Sequence, residues 1–169
     1  MVGVKQVKRI ILLIGVPGSG KSTLAAKIAE KGFTIMCADA IRAELYGDAV
    51  EQGDPAEVFK VFFERMEKLM ADGADLIIDN TNANPLHRKE ILDRAKKFEY
   101  ADVQLWVMET PLQVCITRNK NRGRMVPEDI VAKMHSTISR GGRPTREEGK
   151  LVLIRPGNDE NDYRFFFPN

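Results

Sequence analysis

The chain predicts an α/β fold: a five-stranded parallel sheet covered by helices on both faces. Three observations carry this. Strand-like and helix-like segments alternate from end to end of the 169 residues, as parallel crossover connections require. The first strand segment is a continuous apolar run without polar alternation, the pattern of a strand buried on both sides. A glycine-rich turn then joins that strand directly to a helix.

Arg9 to Ile14 (RIILLI) is the first strand. Thr23 to Lys31 reads as a helix ended at Gly32, Phe33 to Cys37 as a second strand, and Asp39 to Tyr46 as a short helix stopped by Gly47. Asp54-Pro55-Ala56-Glu57 combines a cap residue, proline at the first helical position and a glutamate three residues after the cap. Phe59, Phe62, Phe63, Met66, Leu69 and Met70 then recur at helical spacing up to Gly73, a stripe that reads as core rather than as a cofactor box. Asp75 to Ile78 is a third strand ending at Asp79, and Asn84-Pro85 opens a helix to about Lys97. Val103 to Val107 is the fourth strand. Thr110-Pro111-Leu112-Gln113 has the form of a second capping box, starting a helix that breaks near Gly123. Ile130, Val131, Met134 and Ile138 mark one face of a further helix, broken at Gly141-Gly142, and Leu151 to Ile154 is the fifth strand. A polar tail closes on Phe165-Phe166-Phe167, rings expected to pack on the body.

The length and the 43% hydrophobic content fit one domain, residues 1–169, with a sizeable core. Lys and Arg (26) almost balance Asp and Glu (24), which excludes a histone-like polycation and an acidic tail protein. Cys37 and Cys115 lack C-x-x-C spacing and read as reduced thiols in or near the core. The basic N-terminus (Lys5, Lys8, Arg9) leads into an apolar run too short for a membrane span, and no cleavage-site pattern follows it. A soluble, cytoplasmic protein without a membrane partner is expected.

Gly15-Val16-Pro17-Gly18-Ser19-Gly20-Lys21-Ser22 fits G-x-x-x-x-G-K-[ST] in full, between a buried strand and a helix that continues through Thr23. Glycines let backbone N–H groups converge on phosphate oxygens with no Cβ in the way, and the helix start adds the positive end of its dipole. Lys21 can reach the β- and γ-phosphates, and the Ser22 hydroxyl can ligate Mg²⁺. The expected fold is therefore that of the P-loop NTPases. A GTPase is disfavoured: the chain has no D-x-x-G, and Asn119-Lys120-Asn121-Arg122 puts a cation where N-K-x-D needs a carboxylate to read guanine.

In an open parallel sheet, functional groups gather at the carboxyl ends of the strands. Asp39 follows the second strand, with Arg42 at i+3 on the same helical face. A carboxylate there could take a proton from an acceptor hydroxyl while the arginine holds a substrate anion; equally, Asp39 could cap the helix and Arg42 be solvated. Asp79 after Leu76-Ile77-Ile78 has the Walker-B form, a carboxylate held near Mg²⁺, whereas Thr81 and Asn82 could be turn residues. His87 and His135 lack ligand-spaced partners, so no transition-metal site is expected. Arg118 and Arg122, four apart on the helix from Thr110, would project from one side, with Lys120 and Arg124 nearby. Behind a phosphate loop, this segment (about 118–126) reads as a small arginine-rich lid that closes over ATP.

Taken together, GVPGSGKST (Gly15 to Thr23), D-x-x-R (Asp39 to Arg42), D-N-T-N (Asp79 to Asn82) and RNKNRGRMVP (Arg118 to Pro127) resemble the P-loop kinases of the polynucleotide 5′-hydroxyl kinase family. The resemblance implies an adenylate-kinase-like sheet, ATP as donor and Mg²⁺ as cofactor. It implies Asp39 as general base on a 5′-hydroxyl of RNA or DNA, Arg42 on substrate phosphate and Asp79 in the substrate site. It places Lys21 and Arg122 on the transferring phosphoryl group and Arg118 on the nucleotide. Kinases of small hydroxyl compounds share such a fold, so a sugar, nucleoside or antibiotic hydroxyl is the alternative acceptor. A non-catalytic ATP-binding regulator is the alternative outside enzymes. No D-x-D-G-T phosphatase signature is present.

The near-neutral charge is unevenly spread. Arg118 to Arg146 holds eight Lys/Arg and two Asp/Glu, a net of +6, which leaves −4 for the other residues. Positive charge focused in this way suits a phosphate-rich ligand.

Overall fold

The computed structural model describes residues 6–47, 53–159 and 161–169. Lys5 of the basic N-terminus lies outside them. The chain runs β1 (Arg9–Ile14), α1 (Lys21–Ala29), β2 (Thr34–Met36), α2 (Ala38–Tyr46), α3 (Pro55–Ala71), β3 (Leu76–Asp79) and α4 (Pro85–Lys97). It continues through β4 (Asp102–Met108), α5 (Leu112–Lys120), α6 (Glu128–Ser139), β5 (Lys150–Pro156) and β6 (Tyr163–Phe166).

The sheet order is β2-β3-β1-β4-β5-β6. Strand count is the one correction to the expected architecture: there are six strands rather than five, and β6 pairs antiparallel with β5 while the other five are parallel. A tight reversal makes this possible, closed by Gly157 N–H donating to the Asp162 carbonyl at 2.7 Å. Three consecutive phenylalanines erase the period-2 signal that would reveal an edge strand. The rings do pack on the body, but incompletely. Phe165 meets Trp106 edge-on at 5.4 Å and Phe166 lies under the Arg155 guanidinium, yet Phe167 stays 61% exposed.

β1 is central, and its alternate residues feed two cores. Ile10, Leu12 and Ile14 join Val58, Phe62, Met66 and Met70 of α3, Ile91 of α4, and Val131 and Ile138 of α6. Ile11 and Leu13 face the other way, onto Leu24, Ala25 and Ile28 of α1 and onto Trp106. Both faces of β1 are thus dry, which is why its sequence carries no polar alternation. The α3 stripe divides accordingly. Phe62, Met66 and Met70 are fully buried, whereas Phe59 and Phe63 are only half-buried.

Parallel register fixes where the site must lie. Met36 pairs with Ile78, and Leu13 pairs with Asp79 and flanks β4 through Trp106, so the carboxyl ends of β2, β3, β1 and β4 finish nearly level. The chain leaves β1 toward β2 on one side and later returns to β4 on the other, so the crevice beyond β1 is the switch point of the sheet. Among the described residues, no helix is long and apolar enough to cross a membrane.

Candidate active site

The loop after β1 ends in an open helix terminus. Gly20 sits at the N-cap of α1 with φ 98°, a left-handed conformation that favours glycine, and it offers no side chain to cap the first turn. By contrast, Asp54 and Asn84 cap α3 and α4 by accepting from Ala56 and Leu86 N–H, each at 2.9 Å. The first-turn amides of α1 are left for an anion. The loop is also tightly backed. Gly18, at φ 83°, lies where a Cβ would meet the Cys115 carbonyl oxygen at 2.3 Å. The helix start is Lys21 rather than Thr23, so the motif's lysine and serine belong to the first turn itself.

Lys21 is 8% exposed, and its Nζ donates to the Val16 carbonyl at 2.9 Å. Burial pushes its ammonium down to about 8; the nearby Asp79 charge opposes the fall and Arg122 adds to it. Ser22 is exposed beside it.

The segment after β3 binds the site together. The Thr81 carbonyl accepts from Gly15 N–H at 3.1 Å, holding the root of the phosphate loop. Asn80 Oδ1 accepts from Ala38 N–H at 2.9 Å. That contact serves as the cap α2 lacks, since the N-cap residue Cys37 makes no side-chain cap bond. Asn82, at φ 47° and 5% exposed, donates to the Leu13 carbonyl at 2.7 Å. Beneath it, the fully buried Arg88 donates to the Asn82 carbonyl at 2.9 Å and forks onto Glu148. Thr81 and Asn82 are therefore more than turn residues: their segment ties the phosphate loop, and Asn80 ties helix α2, to the end of β3. Asn80→Ala should cost about 1 kcal/mol, as a lost N-cap does. Calorimetry should show a melting temperature lower by about 2–4 °C, recovered by Asn80→Asp, which restores the acceptor.

Asp39 lies in the first turn of α2 and does not cap it. Its Oδ1 accepts from both Arg42 and Arg124. Oδ2 has no hydrogen bond among the described residues, and the side chain is 47% exposed. Asp79 is 8% exposed at the end of β3.

The arginine segment departs from its expected geometry. Helix α5 ends at Lys120 with Asn121 at its cap, so Arg122 lies past the helix and does not share a face with Arg118 by helical periodicity. Residues 121–126 form a loop with a closed neck instead. The buried Asn119 carboxamide donates to the Val126 carbonyl at 2.6 Å and accepts from Val126 N–H at 3.1 Å. This pairing is invisible to charge counting. The four cations of the segment also divide in a way spacing could not reveal. Lys120 pairs with Glu128 at 3.4 Å and Arg124 with Asp39, whereas Arg118 and Arg122 have no side-chain partner among the described residues.

Thr110 does not act as the expected capping-box residue either. α5 starts one step later, after Pro111, and the Thr110 hydroxyl donates to the Ser19 carbonyl at 2.8 Å, bracing the phosphate loop from below. The C-terminal tail also enters the site, which the sequence did not suggest. Tyr163 donates its hydroxyl to the Gly20 carbonyl at 3.2 Å, and Asn161 borders the loop.

These residues shape two adjoining cavities. One, about 280 Å³, is lined by Gly18, Gly20, Thr23, Arg118 and Asn161 together with Lys21, Ser22 and Arg122. The other, about 220 Å³, is lined by Asp39, Arg42, Asp79, Asn80 and Arg124, again with Lys21, Ser22 and Arg122. Phosphate-type donors thus converge in the first cavity, and the carboxylate–guanidinium pair borders the second.

Comparison with known proteins fits this arrangement. The chain is 26% identical over 151 residues to L-seryl-tRNA(Sec) kinase of Methanococcus maripaludis, covering 79% of this chain and 53% of that protein. It is 27% identical over 134 residues to the putative bifunctional polynucleotide kinase/RNA ligase of Autographa californica nuclear polyhedrosis virus, covering 71% of this chain and 19% of that protein. The chain therefore spans about half the length of the first relative and about a fifth of the second. Among solved structures, a chain of the Pnkp1/Rnl/Hen1 RNA repair complex superposes with a TM-score of 0.70 at 21% identity, over 82% of this chain and 46% of that one. A sugar kinase from Janibacter sp. superposes at 0.61 and 20% identity, over 88% and 85%. The fold is that of the P-loop kinases. With residues 10–140 matching the family model described as an AAA domain, the chain belongs to that family, AAA_33.

Proposed function

We propose that this domain transfers the γ-phosphate of ATP to the 5′-hydroxyl of an RNA or DNA end. The observation that carries the reading is the pair of cavities sharing Lys21, Ser22 and Arg122. A nucleotide whose phosphates lie along the α1 N-terminus would present its last phosphoryl group to the cavity that holds Asp39. The viral relative's name and the RNA repair neighbour support a polynucleotide acceptor, as does the net +6 of residues 118–146.

In this mechanism, amides of the loop and first turn of α1 hold the phosphate oxygens, and Arg118 contacts the nucleotide. Lys21 leaves the Val16 carbonyl for the transferring phosphoryl group. Asp39 Oδ2 accepts the proton of the attacking hydroxyl, while Arg42 holds the neighbouring phosphate of the acceptor. Arg122 faces the charge that builds on the transferred group. The oxygen donors suit Mg²⁺, which would be held by the Ser22 hydroxyl with Asp79 close by and would neutralise phosphate charge when bound.

The test is transfer of radiolabelled γ-phosphate to 5′-hydroxyl DNA and RNA oligonucleotides beside a panel of nucleosides and sugars. Label on oligonucleotides is expected. Label only on small molecules would replace the acceptor, and no acceptor-dependent turnover at all would leave a nucleotide-binding regulator.

A second expectation concerns pH. Bound phosphate favours the charged form of Lys21, so the ammonium that burial pushes down to about 8 stays protonated in the complex. Nucleotide affinity should hold below that pH and weaken by up to about tenfold per unit above it, until the bound-state pKa is reached. Titrating a non-hydrolysable ATP analogue from about pH 7 to about pH 10 measures this. Lys21→Arg, charged throughout, should flatten the profile. A flat profile in the unaltered protein would remove Lys21 from phosphate binding.

A further inference from the structure

Beyond the acceptor cavity lies a third hollow, of about 360 Å³, that none of the predicted site residues lines. It shares Phe59, Asn80 and Thr81 with the acceptor cavity, and Phe63, His87 and Glu90 are among its other lining residues. Three of its lining residues carry aromatic rings. Phe59 stands 6.3 Å from Phe63 and 6.2 Å from the His87 ring, with interplanar angles of 38° and 39°. The Arg94 guanidinium lies 3.9 Å from the Phe63 centroid, and Arg94 is itself held by Glu67 at 3.0 Å. Phe63 is thus fixed from one side.

The junction between the two hollows is chemically specific. Asn80 Oδ1 is committed to Ala38 N–H, which fixes the orientation of the carboxamide. Its Nδ2 has no hydrogen-bond partner among the described residues, and Asn80 lines both cavities. Asn80, with one polar atom committed and the other uncommitted among the described residues, therefore stands between the two hollows, and Glu90 is among the residues that line the further one. A planar ring with polar edges satisfies that combination, because rings stack on aromatic faces while their edges need donors and acceptors.

We infer that this chamber is a second acceptor subsite, which takes a nucleobase of the strand whose 5′-hydroxyl is presented to Asp39. The inference rests on the polynucleotide reading above and gives it a physical basis. A sugar or other small acceptor would fill only the Asp39 cavity and leave the aromatic chamber unused. It also explains why the α3 stripe is not wholly buried. Phe62, Met66 and Met70 are fully buried, while Phe59 and Phe63 pack against the same core and also line the hollow.

The experiment compares Phe63→Ala and His87→Ala with the unaltered protein, using short 5′-hydroxyl oligonucleotides that are intact or abasic at the first or the second nucleotide. Each substitution should raise the KM for the intact oligonucleotide by about tenfold, within the range of a lost base–aromatic stack. The KM for ATP and kcat should stay within about twofold. Removing the stacked base should weaken the unaltered protein by a similar factor, and the substitutions should then add nothing further. A penalty that persists undiminished on both abasic acceptors, or no penalty on the intact one, overturns the subsite while leaving the kinase reading standing. Failure of the unaltered protein to label any oligonucleotide overturns both. His87 is exposed, so its variant keeps the test decisive if Phe63→Ala folds poorly, which circular dichroism would reveal.

Discussion

Asp39→Asn is expected to slow phosphoryl transfer by about 10²–10⁴-fold, the usual contribution of a positioned general base. ATP should continue to bind within about twofold. The reason lies in how the two carboxylate oxygens are used. Oδ1 anchors Arg42 and Arg124, and Oδ2 has no hydrogen bond among the described residues, so one oxygen organises the site while the other is available to a hydroxyl. Asparagine keeps a carbonyl oxygen for the two guanidiniums, and the cavity should retain its shape. What it loses is the ability to accept a proton at neutral pH. Alanine would be a poorer test, because it would also remove the oxygen that Arg42 and Arg124 share. The measurement is kcat for label transfer alongside the affinity for a non-hydrolysable ATP analogue. Full transfer by the asparagine variant would end the general-base assignment. Loss of nucleotide affinity in step with rate would make Asp39 an organiser of the site alone.

Much of the fold was legible because the signals that make it are local. An unbroken apolar run marks a strand dry on both faces, and Asp54-Pro55 and Asn84-Pro85 start helices where they were expected to. The phosphate loop was legible for the same reason: its chemistry needs a fixed short spacing. The misreadings share a different cause. Thr110 has the form of a helix cap, but its hydroxyl serves a carbonyl 91 residues away, a partner no local pattern names. Asn80 completes a helix 42 residues earlier in the chain, and Asn119 closes the arginine loop through a backbone pairing that composition does not register. β6 was missed because its apolar residues run together rather than alternate. Phe59 and Phe63 do pack against the core, as read, but apolar period alone does not show that rings at the edge of the stripe also line a cavity. In each case the deciding partner is brought in by the sheet order, which a single sequence does not display.

The segregation of paired and unpaired cations leads to the second large effect. Arg122→Ala should lower kcat by about 10³-fold, the lower end of what a catalytic arginine supplies in phosphoryl transfer, with at most a few-fold change in nucleotide affinity. Four cations crowd the segment from Arg118 to Arg124, but two are already neutralised. Lys120 has Glu128 and Arg124 has Asp39. Arg122 alone among the four is without a side-chain partner in the described residues while bordering both cavities, where a transferring phosphoryl group would be flanked by donor and acceptor. Arg118 borders only the nucleotide cavity, so Arg118→Ala should mainly raise the KM for ATP. Lys120→Ala should do little, because its ion pair is 59% exposed on both sides and such pairs contribute little. Arg122→Lys should recover only part of the rate, since it restores charge without the planar fork that meets two phosphate oxygens. Steady-state kinetics on the four variants, paired with direct nucleotide titrations, separates these roles. If Arg122→Ala loses only ATP affinity and keeps its kcat, Arg122 is a nucleotide clamp, and charge on the moving phosphoryl group must be met by Lys21 and the helix α1 amides without it.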